Sequence, residues 1–216
     1  MRLPCMDDKK YPLFVHLEPD ELSALTLAFG DLDDVNRLVC ALYSTNKTER
    51  DNAMYEITDF LCHQGTLYSH TAAAVPTIWK AFFNTEIDSK DEIAHLLVYI
   101  ASGSGFLEVH STGYYTKSVW RDTFKKQEKD SDAELIEEKH AVRNVRNAIS
   151  IHLPLLLPYF QNETQDIRLL IASALRHYPE HRSASLPALE AARLCETDED
   201  VLIEIQDSID CLTTPV

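Results

Sequence analysis

Glycine is scarce in this chain: 216 residues hold five. There is no Gly-rich phosphate loop, no Gly-x-Ser-x-Gly elbow and no His-Glu-x-x-His pattern. Those absences remove the usual signatures of a nucleotide site, a serine hydrolase and a zinc protease. Positive charge is also in deficit. Lys and Arg number 20 against 35 Asp and Glu, a net charge of −15. Nucleic-acid backbones are held by basic patches, so this balance argues against such a partner. It favours a basic protein instead, with association steered by charge; much of the acidity also serves solubility. The five cysteines (Cys5, Cys40, Cys62, Cys195, Cys211) are odd in number and widely spaced, with no CxxC pair. They read as reduced, mostly buried thiols of a cytoplasmic protein. No apolar run approaches the length of a membrane span. Met1 to Cys5 lead into Asp7-Asp8-Lys9-Lys10 without the apolar core of a signal peptide.

Hydrophobic residues make up 45%, enough for a well-buried core. Residues 1–30 read as an N-terminal segment and 31–212 as one helical domain. Asp31 or Asp33 caps a helix carrying Val35, Leu38, Val39 and Leu42. Thr48 caps the next, through Leu61. A third runs from Ser69 to Phe83, where the interior Pro76 predicts a kink or a start within it. Ser89 caps a fourth, Lys90 to Ala101. The helix signal then fades from Gly103 to Ser131, which reads as a long loop, a short helix around Trp120 or partial disorder. Helix resumes from Asp132 to Ile149. Ile151 to Phe160, broken by Pro154 and Pro158, and Ala184 to Leu194, with Pro187, read as short apolar helices. Each leads through an acidic turn into another helix. Pro154 to Pro187 and Glu163 to Glu196 both span 33 residues, a repeat signal.

His63-Gln64-Gly65-Thr66-Leu67-Tyr68, followed by Ser69-His70-Thr71-Ala72-Ala73-Ala74-Val75-Pro76, stands between two amphipathic segments. Gly65 suits a positive φ at the helix end, and Thr66 is placed to start the next helix. With Ala74-Val75-Pro76 and Asp166-Ile167-Arg168 opening apolar helices, the chain resembles bacterial HEAT-repeat-like proteins over Leu32 to Leu212. The turn is similar to that of a subgroup with a His-Gln-Gly-Thr-x-Tyr pattern. The resemblance implies an all-α, right-handed α-solenoid of about five helical hairpins, with residues 103–131 an irregular insertion. It also implies protein-binding surfaces, and by analogy an immunity-type inhibitor that blocks a cognate toxin.

Four groups of residues invite chemistry. Glu92/His95 and Glu137/His140 each place a carboxylate and an imidazole on one helix face. Two further carboxylates would complete a di-iron site, but the acids here sit at turns, so no metal and no cofactor are expected. Cys62 and His63 are neighbours, which point about 100° apart on a helix, and this speaks against a nucleophile pair. His63, Gln64, Thr66, Tyr68 and Thr71 read first as side chains that bond the turn backbone, with His63, Gln64 and Tyr68 also open to a partner. Tyr114, Tyr115, Trp120 and Arg121 have the composition of a binding hot spot or of a loop folded back on the core. The expectation is a non-catalytic binder of a basic protein. A general scaffold or adaptor is the alternative, and a metal-dependent enzyme a third.

Overall fold

The computed structural model describes residues 37–38, 41–42, 44, 46–84, 90–110, 117–126, 130–162 and 164–214. The N-terminal segment, most of the helix around Val35, and Ser89 lie outside the described residues. The elements are α1 (Lys47–Leu61), α2 (Ser69–Phe83), α3 (Lys90–Ser102), α4 (Phe106–His110), α5 (Lys117–Lys126) and α6 (Ser131–Ser150). A 3-10 run at Leu153–Gln161 follows, then α7 (Gln165–Leu175), α8 (Arg182–Cys195) and α9 (Glu199–Thr213). The protein is all-α: the described residues form no strand, only a single parallel β-bridge between Thr66 and Ser104. No helix among them is long and apolar enough to cross a membrane.

Caps explain where these helices begin. Asn46, not Thr48, caps α1; its Oδ1 accepts the Thr48 N–H at 3.0 Å. An amide side chain reaches the free amide two residues on, which leaves Thr48 inside the first turn. Asp130 and Asp198 do the same for α6 and α9. α2 begins at Ser69 and continues through Pro76, so that proline marks no start within it. Leu153–Gln161 winds as a 3-10 run rather than the expected α-helix, with Pro154 in its first turn and Pro158 inside it.

The core is one apolar cluster running the length of the described chain. Ile93, Leu97 and Ile100 of α3 are buried at helical spacing, as are Val142, Val145 and Ile149 of α6. Full burial of each such side chain stabilises by roughly 1.5–3 kcal/mol. An exposed ion pair such as Lys47–Asp51, at 2.7 Å, contributes about 0–1 kcal/mol. Apolar packing therefore dominates. α1, α3, α7 and α9 touch in that order; the Leu153–Gln161 run lies against α7 and α8, and α8 against α9. α2 packs on α6, with Trp79 and Phe83 edge-on to His152. Tyr178, fully buried after α7, donates its hydroxyl to the Ala101 carbonyl at 3.3 Å. Of the cysteines described, Cys62 is buried, whereas Cys195 and Cys211 are exposed. The latter two occupy outward positions on α8 and α9, contrary to the expectation of mostly buried thiols.

Two ion pairs tie α7 to the last helix pair. Arg168 clasps Glu196 through Nε (2.7 Å) and Nη2 (3.1 Å), and Arg176 pairs with Glu204. The Arg168 guanidinium holds the Glu196 carboxyl down at about 2. Burial, and then the charges of Arg146 and Arg176, push His177 down to about 4. Both groups bind protons more tightly when unfolded, so both destabilise the fold as pH falls. His177 acts as pH drops from its ordinary 6.5 to about 4, and Glu196 from its ordinary 4.5 to about 2. Melting temperatures of the wild type should fall between pH 7 and 4.5. His177→Gln should flatten that slope while leaving the loss at lower pH, and an unchanged slope would refute this origin.

Candidate functional site

The carbonyls at the C-terminus of α1 have no partners within the helix. Side chains from the start of α2 supply them. Buried His70 places Nε2 2.9 Å from the Phe60 carbonyl, and buried Thr71 donates its hydroxyl to the Leu61 carbonyl at 2.5 Å. Because the Phe60 oxygen can only accept, His70 Nε2 carries the proton. The Thr71 hydroxyl also accepts the Tyr68 N–H at 3.1 Å, capping α2. One threonine thus ends one helix and begins the next. The chain between them turns through two residues of positive φ, Gln64 (50°) and Gly65 (80°). Glycine takes that conformation freely; glutamine does so at a cost of about 1–2 kcal/mol.

Thr66 does not start α2. It is extended and pairs across the molecule with Ser104. The Leu67 N–H donates to the Ser104 carbonyl at 3.0 Å, and the Ser104 N–H donates to the Gly65 carbonyl at 2.9 Å. This bridge takes up the turn's backbone groups, which is why α2 begins three residues later than Thr66. Glycine is required opposite: a Cβ on Gly103 would come within 2.6 Å of the Leu67 side chain. A Cβ on Gly105 would collide with the Glu138 carboxylate. That carboxylate accepts the Leu107 N–H at 2.7 Å and the Glu108 N–H at 3.1 Å, capping α4 from α6. Burial raises the Glu138 pKa, and these backbone donors oppose the rise.

A cleft of about 470 Å³ opens beside this joint. Thr66, Leu67, Tyr68 and Ser69 form one wall, and Phe106, Leu107, Phe124 and Ala141 others. Glu134, Glu137 and Glu138 line it from α6. Tyr68 stacks on His70, ring centroids 5.3 Å apart and planes nearly parallel, so the buried cap orients a wall of the cleft. A second groove of about 410 Å³ lies between α1 and α3, lined by Met54, Tyr55, Leu96 and Tyr99 with Asp51, Glu92 and His95.

The residues singled out in the sequence divide accordingly. Tyr68 lines the cleft. His63 does not bond the turn backbone through Nδ1; it pairs there with Asp59, one turn back on α1. Gln64 is exposed. Tyr114 and Tyr115 lie outside the described residues. Trp120 and Arg121 belong to α5, which packs on α6 and contributes Phe124 to the cleft. A helix therefore runs around Trp120, and α4 precedes it, where the insertion was expected to be irregular. Burial pushes the Cys62 thiol up to about 12, so it stays protonated and unreactive at neutral pH. The two Glu-x-x-His pairs stand on α3 and α6; among the described residues no three His, Cys, Asp or Glu side chains converge on a common metal position.

One constellation went unread. The Ser150 hydroxyl lies 2.7 Å from Glu180 Oε1 and 2.9 Å from His181 Nε2. It superficially resembles a hydrolase triad. However, Glu180 meets the serine rather than the imidazole, and His181 Nε2 also faces the Ser150 carbonyl at 2.8 Å. An Nε2 that donates there cannot take the serine proton. The group ends α6 instead. The cleft residues Phe106, Leu107, Phe124 and Glu138 were also missed. Their only sequence signal was the pair Gly103 and Gly105, in a chain that holds five glycines.

Thr71→Val should remove both of its bonds and leave a buried carbonyl unpaired, lowering stability in urea unfolding by about 1–3 kcal/mol. His63→Ala, which breaks the partly exposed pair with Asp59, should cost less than about 1 kcal/mol. Equal losses would contradict these separate roles. In comparisons with known proteins, the chain matches no family model, no curated protein and no solved structure.

Proposed function

We propose that this protein is a non-catalytic, protein-binding helical protein whose helix pairs stack in a HEAT-like, right-handed solenoid of about five hairpins. Its partner is a basic protein. In its most specific form it is a cytoplasmic immunity-type inhibitor that covers and blocks a cognate bacterial toxin. The observation that carries the reading is the cleft: a solvent-open, mainly apolar hollow edged by carboxylates, in a chain of net charge −15. Apolar surface supplies affinity at an interface, and surrounding charge supplies steering and selectivity. The 33-residue offset in the sequence and the contact order α3, α7, α9 support the stacking.

An adaptor is the second reading. Leu194 on α8 is 84% exposed and Ile203 on α9 is 58% exposed, and apolar residues so presented on the last helix pair suit a second contact.

A pull-down from the native host, read by mass spectrometry, should return one dominant basic protein. Its association rate should fall about tenfold or more between low and physiological salt. A rate indifferent to salt would count against the reading. Capture of several neutral proteins would favour the adaptor.

A further inference from the structure

Carboxylates are plentiful in this chain, 35 against 20 Lys and Arg, and Arg37, Lys47, Arg168, Arg176 and Arg193 each meet one. The second half of α6 departs from that pattern. Lys139, Arg143 and Arg146 follow at spacings of four and three, which sets them within about 60° of arc on the helix. Among the described residues, no carboxylate pairs with any of the three. The buried Val142, Val145 and Ile149, and the cleft-lining Glu134, Glu137 and Ala141, occupy other arcs of the helix. The stripe is therefore left open: Lys139 and Arg143 are exposed and Arg146 is half-buried. Ser150 continues it one turn beyond Arg146. Its contacts with Glu180 (2.7 Å) and His181 (2.9 Å) bring that end of α6 against the segment after α7. That segment adds Arg176, His177 and the exposed Arg182. Arg176 is taken by Glu204, yet the local field stays positive, because the charges of Arg146 and Arg176 add to burial in holding His177 neutral. The Nε atoms of Arg146 and Arg176 are both buried without a hydrogen-bond partner.

We propose that this stripe, Lys139, Arg143 and Arg146 with Arg182 at its end, docks a short acidic peptide segment of another protein. Charge complementarity sets the occupant. The structure supplies no carboxylate to the stripe, and a carboxylate is the acceptor that a guanidinium fork fits. Successive cations rise by about 6 and 4.5 Å along α6. Acidic side chains on alternate residues of an extended segment recur about every 6.6 Å, a comparable step. A nucleic acid would also bring anions. However, it would run past a stripe about 10 Å long into the field of a chain of net charge −15. A short peptide ends where the stripe ends. The stripe stands on the flank of α6 away from the cleft, so the proposal does not depend on the reading of a basic partner.

The test uses the full chain with fluorescein-labelled hexaglutamate at low salt, followed by fluorescence anisotropy and by amide shifts of the ¹⁵N-labelled protein. Hexaglutamate should bind saturably and shift the amides of Arg143, Asn147, His177 and Arg182, whereas hexaglutamine should not bind. Arg143→Gln should weaken hexaglutamate binding about two- to fivefold, the range for one solvated charge pair. Arg143 is exposed, so the variant keeps the fold, which an unchanged melting temperature verifies. Lys139→Glu combined with Arg143→Glu should abolish binding. Hexaglutamate that fails to bind, or that binds the doubly reversed variant as well as the wild type, overturns the proposal. A single-stranded DNA hexamer that binds this stripe more tightly than hexaglutamate overturns it in favour of a nucleic acid. Self-association in sedimentation equilibrium that the double reversal abolishes overturns it in favour of a second copy of this chain. Each of these outcomes leaves the pull-down of a basic partner unaffected.

Discussion

Everything described around the cleft depends on how α1 ends. The Phe60 and Leu61 carbonyls point into the core, away from water, and an unpaired carbonyl there costs about as much as several surface ion pairs contribute. His70 and Thr71 meet them from within the next helix. This fixes the distance between α1 and α2 and obliges the six residues from His63 to Tyr68 to close a short loop. The loop closes through two positive φ values and then runs extended. Its extended part seeks hydrogen bonds and finds them at Ser104. Gly103 and Gly105 flank that bridge because a Cβ at either position would strike Leu67 or Glu138. Glu138, admitted by Gly105, then holds the first turn of α4. The walls of the cleft follow from one helix terminus by a chain of short-range contacts.

Local physics made much of this legible in advance. The spacing of Ile93, Leu97 and Ile100 marked a buried helix face, and Gly65 marked a left-handed turn. The limits of α2, α3 and α6 follow from the same periodicity. Other features depend on what the chain meets at a distance. Thr66 is a sound helix-starting residue in isolation, but it lies extended because Ser104, remote in sequence, takes its neighbours' backbone groups. Ile151 to Phe160 has the composition of a buried helix, but Leu153–Gln161 winds as a 3-10 run that contains Pro154 and Pro158. The turn could be read as a joint; that it also forms the wall of a cleft could not, because Phe106, Phe124 and Glu138 come from elements whose approach no local pattern encodes.

The same economy separates structure from recognition. Buried His70 holds a helix end, and half-buried His177 is kept neutral by burial and by the charges of Arg146 and Arg176. The buried thiol of Cys62 is unreactive. At the cleft, aromatic and aliphatic walls stand beside the carboxylates of α6. A joint held by buried hydrogen bonds suits the proposed binding role, since preorganised walls retain affinity and charge sets the rate of encounter.

The central claim is that the side chains at the start of α2 hold the bridge between the turn and Ser104. Native-state amide hydrogen exchange tests it most directly, comparing the wild type with Thr71→Val. The account predicts slow exchange at the Leu67 and Ser104 amides in the wild type. In the variant, both should accelerate together, with α7 and α9 unchanged. If these two amides keep their protection when Thr71 is replaced, or if the whole chain accelerates uniformly, the bridge does not depend on the helix cap and the account is wrong.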